Sequence, residues 1–416
     1  MAKIIEYNLE ASECNWEVAP GRTVRGWGYN GQVPGPVLEA NAGDTLVVRL
    51  TNHLTQATTI HWHGLRVPAA MDGTEVAQKP VQPGETFEYR FTLPDAGTFW
   101  YHPHANDTVQ LERGLYGALI VRDPNDGVIA DAEKILVLDD VKLDRSGEIA
   151  PFGGVVERHN RREGDVRLVN GKQEPMITLR AGQVERWRII DASSARYIRL
   201  SLGGHPFTIL GTDGGLLDQP YVATEFLLTP GKRIDIAVGP FDEGTGFSVE
   251  ALRYNRMAGL MIRAERFATA IVGAPAPSRA ALPVPAARVQ RLVPAGSTMK
   301  PNRVVRLGVG MSLRRGIDFL INGEMHHHGE SVKVGELQVW DVVNDSMMDH
   351  LPPARFLLPG AGAERGARAT RVVGGHGKPS TARPHANRVA PRRPARNVDV
   401  SLPHPRALGG RDDGPL

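Results

Sequence analysis

The chain has 416 residues, of which 41% are hydrophobic and 6% aromatic, with 46 Gly and 31 Pro. This length allows two or three domains with full cores, and the many Gly and Pro are typical of a β-rich protein with frequent turns. Residues 351–416 hold 11 Arg and 1 Lys against 3 Asp and 1 Glu, a charge of +8, so residues 1–350 carry −5 of the total net charge of +3. No aromatic residue follows Phe356, which argues against nucleic-acid binding by this basic segment. No apolar run is long enough for a membrane-spanning helix.

The N-terminus and the cysteine content give little information about the compartment. The first residues, MAKIIEYNLEASEC, lack the basic-then-apolar pattern of a signal peptide. This leaves a trimmed precursor and a cytoplasmic protein as alternatives. Cys14 is the only cysteine, so no intrachain disulfide can form. We interpret it as a free or half-buried thiol without a role as a metal ligand.

One pattern occurs three times along the chain. Each copy begins with an Asn-Gly pair and ends, after a Gly and an apolar strand, at an Asn or Asp. The three copies run from Asn30 to Asn52, from Asn170 to Asp191 and from Asn322 to Asn344. The glycines that precede the final strands are 139 and 153 residues apart, and these intervals are domain lengths. Together with short strands separated by Gly and Pro, the pattern predicts an all-β fold of tandem Greek-key β-sandwiches.

Two pairs of histidines lie in the first copy. His61 and His63 flank Trp62, and His102 and His104 follow Tyr101 at the same two-residue spacing. In an extended strand, residues two apart project to the same face. Four imidazoles in matched pairs suit a borderline metal such as copper or zinc, whereas calcium and magnesium prefer oxygen ligands. A single histidine pair in a strand is usually incidental, but two matched pairs favour a metal site.

The segments HWHG, WYHPH and GLYGALIV resemble the first domain of the three-domain, laccase-like multicopper oxidases, which are built from cupredoxin-like sandwiches. The resemblance implies copper as the cofactor, with His61 as a ligand of type 2 copper and His63, His102 and His104 as ligands of the type 3 pair. It also implies that Asp72 helps to supply protons to the cluster. The alternative for Asp72 is a turn residue before Gly73, since Asp-Gly is a common turn signal.

We predict four segments in the chain. Residues 1–125 form the first cupredoxin domain with the cluster histidines, and residues 126–272 form a second domain without paired histidines, which we interpret as structural. Residues 286–350 begin a third domain that is incomplete. Residues 351–416, rich in Arg, Pro, Ala and Gly, have the composition of a disordered tail.

The third domain departs from the family pattern after His350, which matches the first type 1 copper histidine. In the family the next residues read PFHLHG, and a later HCH motif carries the type 1 cysteine; here the chain reads LPPARFLLPG. A one-base shift of the coding frame allows residues 351–363 to be decoded as FHLHGFFFQVLER and residues 399–413 as MFHCHILEHxxxGMM. We therefore predict that residues 351–416 are encoded out of frame.

The sequence leaves three functions open. The first is a multicopper oxidase that couples one-electron oxidation of a phenolic, amine or metal-ion donor to the reduction of dioxygen to water, impaired in this chain. The second is a copper-binding protein without turnover. The third is a copper-free structural relative that serves as an interaction module, and the retention of all four first-domain histidines argues against it.

Overall fold

The computed structural model describes residues 2–153, 162–213, 215–255, 261–282, 300–312, 316–325, 336–346, 354–358, 370–372 and 396–397. Within these segments no helix is both long and apolar enough to cross a membrane. The fold consists of strands arranged in tandem sandwiches, as the sequence predicts, and the sheets are described below in chain order.

The first sandwich consists of two four-stranded sheets, ordered β2-β1-β4-β6 and β3-β8-β7-β5. Its strands are β1 (Ile4–Ala19), β2 (Arg22–Tyr29), β3 (Leu38–Asn41), β4 (Thr45–Asn52), β5 (His61–His63), β6 (Thr86–Thr92), β7 (Gly97–His102) and β8 (Gly117–Arg122). A 3-10 helix lies at Ala69–Met71, and helix α1 lies at Asp107–Glu112. Side chains from both sheets form one core. In β6 the apolar side chains alternate with exposed polar ones, whereas β8 is buried almost throughout.

The second sandwich packs a seven-stranded sheet, β11-β10-β9-β13-β18-β15-β16, on a five-stranded sheet, β12-β22-β19-β14-β17. Its strands are β9 (Ala132–Val141), β10 (Val166–Val169), β11 (Lys172–Gln173), β12 (Met176–Arg180), β13 (Glu185–Asp191), β14 (Ile198–Leu202), β15 (Phe207–Thr212), β16 (Gly215–Ala223), β17 (Glu225–Leu228), β18 (Arg233–Val238), β19 (Gly246–Leu252), β20 (Tyr254–Asn255), β21 (Met261–Ile262) and β22 (Glu265–Gly273). Strands β20 and β21 pair only with each other. Apolar residues of both large sheets form the largest core cluster of the described chain.

The C-terminal part of the described chain forms one sheet, ordered β24-β23-β25-β26-β27-β28. The strands are β23 (Arg303–Ser312), β24 (Gly316–Ile321), β25 (Gln338–Asn344), β26 (Ala354–Leu358), β27 (Thr370–Val372) and β28 (Arg396–Asn397). The last three lie within residues 351–416, most of which are outside the described residues, so the disordered tail that the sequence predicts stays a prediction. The segment Ala354–Leu358 is mostly apolar and adds to the backbone ladder of β25, which explains a strand there. His350 lies outside the described residues.

The threefold repeat is visible in the backbone. The asparagines of the three Asn-Gly pairs have positive φ angles of 54°, 50° and 52°, and the following glycines have φ angles of 72°, 74° and 86°, for Asn30-Gly31, Asn170-Gly171 and Asn322-Gly323. In each copy the asparagine side-chain oxygen accepts a hydrogen bond from a backbone N–H of a preceding strand, at 2.7, 2.7 and 2.8 Å. Positive φ at two successive residues is the type I′ geometry that Asn-Gly favours.

The strands that close the three copies end where the sequence predicts. Strands β4, β13 and β25 end at Asn52, Asp191 and Asn344, and they pair in parallel with β1, β9 and β23. The side-chain oxygen of each terminal residue accepts a hydrogen bond from the backbone N–H two residues on, at 2.9, 3.0 and 3.0 Å. This local bond competes with further ladder pairing and ends the strand.

A buried polar contact joins the first two sandwiches next to β7. Asp235 in β18 accepts hydrogen bonds from Arg186 at 2.7 Å and Arg188 at 2.9 Å, and from the hydroxyl of Thr98 in β7. All four side chains are buried. Because a buried carboxylate needs such partners, the contact fixes β7 against the second sandwich.

Candidate metal centre

The histidines converge because of the register between β5 and β7. The two strands pair antiparallel, with His61 opposite His102, Trp62 opposite Tyr101 and His63 opposite Trp100. Alternation along each strand sends Trp62 and Tyr101 into the core of the first sandwich. The imidazoles therefore lie together on the opposite face of the sheet.

Three of the four imidazoles form a compact group. One ring nitrogen from each of His61, His63 and His102 can be chosen so that all lie within 4.8 Å of one another. The Nδ1 of His63 lies 3.3 Å from the Nε2 of His102. His104 lies beside them, with its ring centroid 4.5 Å from that of His61 and 5.6 Å from that of His102. The structure thus brings together all four histidines predicted in the first domain.

Backbone carbonyls orient two of the rings. The Nδ1 of His61 lies 2.9 Å from the carbonyl oxygen of Asp72, and the Nδ1 of His102 lies 3.0 Å from that of Pro103. A carbonyl oxygen can only accept, so Nδ1 carries the proton in both rings and Nε2 carries the free lone pair. The Nε2 of His61 is buried and has no hydrogen-bond partner among the described residues. Such an arrangement is typical of histidines prepared to bind a metal ion.

The Asp72 loop lies directly against the β5 strand. Gly73, with φ +78°, packs so closely that a Cβ atom there would lie 2.1 Å from the carbonyl oxygen of Ile60. The carboxylate of Asp72 lies 3.4 Å from the Nδ1 of His61. Both the backbone and the side chain of Asp72 therefore contact this ring, in addition to the turn geometry that its Asp-Gly pair favours.

The surroundings keep the central rings neutral. Burial lowers the pKa of His63 well below its usual value, and the neighbouring Arg233 guanidinium and other imidazoles lower it further. Burial, followed by the influence of the three other histidines, likewise lowers the pKa of His102. A neutral imidazole retains the lone pair that metal binding requires.

Trp100 supports the histidines on one side, a contact that the sequence prediction missed. Its ring lies 4.8 Å from that of His63 and 4.2 Å from that of His102, with interplanar angles of 31° and 30°. Trp100, His102 and His104 share the two-residue spacing of one strand face. That spacing is the sequence signal for the contact, although Trp100 is not adjacent in sequence to any histidine.

Cys14 lies in β1, opposite Gly26 of β2. It is a free cysteine, and partial burial raises the pKa of its thiol. A raised pKa disfavours the thiolate that binds metal ions. The predicted type 1 ligand His350 lies outside the described residues, so the structure does not place it.

The donor set fits copper. Imidazole nitrogens suit copper and zinc. The buried Nε2 of His61, which no described residue bonds, needs an electron-pair acceptor to offset its burial. His61, His63, His102 and His104 are the residues that could hold such ions.

Tandem β-sandwiches with a histidine cluster on one sheet define a metalloprotein of the cupredoxin-like fold. Two family models, both described as multicopper oxidase, match residues 10–126 and 98–251. A crystal structure of a multicopper oxidase from Pseudomonas thermotolerans is 31% identical, with a TM-score of 0.68, and the match covers 83% of this chain and 82% of that one. The chain belongs to the multicopper oxidase family, whose members are copper-dependent oxidoreductases.

Other relatives give the same result. A multicopper oxidase from Campylobacter jejuni, described as a metallo-oxidase, has a TM-score of 0.70 at 30% identity, and the match covers 83% of this chain and 76% of that one. Multicopper oxidase MmcO of Mycobacterium tuberculosis is 35% identical over 242 residues, which are 50% of this chain and 47% of MmcO. Laccase-1 of Cryptococcus neoformans var. grubii is 32% identical over 248 residues, which are 52% of this chain and 39% of the laccase. The chain thus spans less than half the length of these two curated relatives.

Proposed function

We propose that this protein is a copper oxidase by descent that takes electrons one at a time from a phenolic, amine or metal-ion donor and reduces dioxygen to water. We also propose that this activity is impaired in the chain as written. The observation that carries the first part is the convergence of His61, His63 and His102, with a buried Nε2 of His61 that has no partner in the described chain.

The four histidines would divide the ligand roles as the family resemblance implies. His61 would bind type 2 copper through Nε2, since Asp72 holds its Nδ1. His63, His102 and His104 would contribute to the type 3 pair. Bound copper would supply the one-electron redox chemistry and the site of dioxygen reduction. The protein itself fixes the rings by carbonyl contacts and by Trp100, and it keeps His63 and His102 neutral.

Asp72 would hold and deliver a proton at the edge of the cluster. Its carboxylate lies 3.4 Å from the Nδ1 of His61, and the side chain is 29% exposed. This exposure allows the carboxyl to exchange protons with water while it contacts the ligand ring.

The lack of a suitable cysteine supports the impairment and favours a second candidate function. Cys14 is the only cysteine of the chain, and partial burial in the first sandwich raises the pKa of its thiol. A type 1 copper site needs a thiolate with two imidazoles. The chain as written would then bind copper through the first-sandwich histidines without turnover.

The test compares the present chain with a version whose reading frame is restored after His350. Both are expressed with copper, and copper content, visible absorption and oxygen uptake with a phenolic donor are measured. We expect the present chain to bind copper weakly, to lack blue colour and to consume negligible oxygen, and the restored chain to be a blue oxidase. Equal oxygen uptake by the two versions would overturn the impairment, and copper-free protein in both would overturn the proposed function.

A further inference from the structure

A turn of the second sandwich touches the metal centre. The turn spans Thr229 to Lys232, closed by a hydrogen bond from the Lys232 N–H to the Thr229 carbonyl at 2.9 Å. Gly231 in this turn has φ +82°, and a Cβ atom there would lie 2.8 Å from the Cε1 and 3.1 Å from the Nε2 of His63. The Cε1–Nε2 edge of the His63 ring therefore contacts a backbone position where only glycine fits.

Gly231 is held on both sides of its peptide backbone. Its N–H donates to the carbonyl oxygen of Asp191 at 2.9 Å, and its carbonyl oxygen accepts from the Nη1 of Arg233 at 3.1 Å. The surface that receives the His63 ring is thus fixed and not a free loop.

Arg233 connects this turn to the strand that carries the other ligands. The side chain is 1% exposed. Its Nε donates to the carbonyl oxygen of Thr98 in β7 at 3.1 Å, and its Nη2 donates to that of Asp213 at 2.6 Å. Thr98 precedes His102 by four residues on the same strand. One guanidinium therefore bonds both to the Gly231 turn and to β7, and its rigid fork sets the distance between them.

The Nδ1 of His63 faces the other histidines. It lies 3.3 Å from the Nε2 of His102, while the opposite Cε1–Nε2 edge contacts Gly231 and Trp100 packs on the ring face. The position of the glycine thus limits how far the ring can withdraw from the other histidines.

We propose that Gly231 and Arg233, in a sandwich without paired histidines, are positioning residues that hold His63 in its place in the metal centre. This inference rests on the proposed function, because it presupposes that the histidine cluster binds copper. It assigns the second sandwich a part in the metal site, where the sequence predicts a structural domain.

The test is the substitution Gly231→Ala, with Gly244→Ala as its control. Gly244 lies in the same sandwich and has φ +80°, and a Cβ atom added there would have no neighbouring atom within 4 Å. In both variants alanine must adopt a positive φ angle, so both lose a similar amount of folding stability. Only Gly231→Ala pushes on the His63 ring, which is the end of a rotatable side chain and can move without unfolding the domain.

Copper affinity of the full-length variants is measured by competitive titration, and nitrogen coordination by electron paramagnetic resonance. We expect Gly231→Ala to weaken copper binding about tenfold to a hundredfold, the range for removal of groups that orient ligands, with fewer coupled nitrogens. Gly244→Ala should bind copper like the unmodified chain, with the same near-ultraviolet circular dichroism and unfolding midpoint as Gly231→Ala.

Arg233→Lys provides an independent test. Lysine keeps the charge but cannot donate to the Thr98 and Gly231 carbonyls through a planar fork, so we expect weaker copper binding than in the unmodified chain. Equal copper affinity and nitrogen coupling in Gly231→Ala and Gly244→Ala would overturn the inference. If Gly231→Ala fails to fold, unchanged affinity in folded Arg233→Lys overturns it. Absence of copper binding in the unmodified chain would instead contradict the proposed function.

Discussion

Asp191 is a fully buried carboxyl at the end of β13. Its Oδ1 accepts hydrogen bonds from the N–H and hydroxyl of Ser193 at 3.0 and 2.5 Å, whereas its Oδ2 has no partner within the part of the chain that the structure describes. Burial raises the pKa of Asp191 to about 8, although the Ser193 bonds act in the opposite direction. In the unfolded chain the pKa is about 3.9. Between about pH 4 and pH 8 the folded state therefore binds more protons, and the free energy of unfolding falls as pH rises.

Replacing Asp191 by Asn should remove the part of the pH dependence of the unfolding free energy that this carboxyl causes. We expect the decline of unfolding free energy between about pH 4 and pH 8 to become shallower, by at most about 1.4 kcal/mol per pH unit for one group. Urea unfolding across this pH range measures it. Asp144→Asn is the matched control, because Asp144 accepts the same two hydrogen bonds from Ser146 in an exposed turn. There the hydrogen bonds lower the pKa of Asp144. The stabilisation that ionised Asp144 gives is lost only as pH falls below about 4. An equal change in the pH slope of unfolding free energy near neutral pH for both substitutions would contradict the assignment of that slope to Asp191.

The two contacts of Asp72 with His61 can be separated. Asp72→Asn keeps the backbone carbonyl that orients the ring and removes the group proposed to carry protons. We expect copper affinity to change little, while oxygen uptake by the frame-restored protein falls by at least about 100-fold. Glu75→Gln, an exposed acid in the same loop, should affect neither property. Undiminished oxygen uptake in Asp72→Asn would rule out a role of the Asp72 carboxyl in proton supply and leave its role in the Asp-Gly turn.

The histidine pairs could be predicted from sequence because strand alternation is local. His61 and His63 share a face because both lie in β5. His104 follows the end of β7 at His102, and its ring nevertheless lies beside those of His61 and His102. The contact of Gly231 with His63 joins residues 168 positions apart. No local pattern records such a contact, since it depends on how one sandwich packs on another.

At the scale of elements, the Asn-Gly turns contribute to stability through both backbone angle and side-chain bonding. Asn170 has φ 50°, and its side chain bonds to the Val137 N–H and the Ile135 carbonyl at 2.7 and 2.8 Å. Asn170→Gly keeps the favourable backbone but loses both bonds, whereas Asn170→Ala loses both features. We expect a loss of about 1 kcal/mol for glycine and about 2–3 kcal/mol for alanine.

Chemical unfolding of the two Asn170 variants measures the difference. Asn30 has the same geometry in the first sandwich, so the same pair of substitutions there should give the same order. Equal stability of the glycine and alanine variants at both sites would show that the positive φ angle is not energetically important.

The ends of β4, β13 and β25 were predictable because Asn or Asp bonds to its own backbone two residues on. The strand β26 was not predictable from the composition of residues 351–416. Its pairing with β25 is non-local, and an apolar run of a few residues can add to an existing edge despite a Pro- and Arg-rich context.

The strand β7, which carries His102, is in contact with the second sandwich. The histidines belong to the first, while Arg186, Arg188 and Asp235 of the second hold β7 from outside through Thr98. The family resemblance implies further ligands from the third domain, and the sequence after His350 does not contain the PFHLHG and HCH motifs that would carry them. We therefore expect copper to bind to half a ligand set, and weakly.

Copper retained per chain after loading and exhaustive dialysis tests whether the first-sandwich histidines form the metal site. The unmodified chain is compared with His102→Ala and with His53→Ala, a half-exposed histidine next to Glu10 on the surface. We predict that the unmodified chain and His53→Ala retain the same small amount of copper and that His102→Ala retains none. Equal copper retention by all three proteins would show that copper does not bind at the first-sandwich histidines.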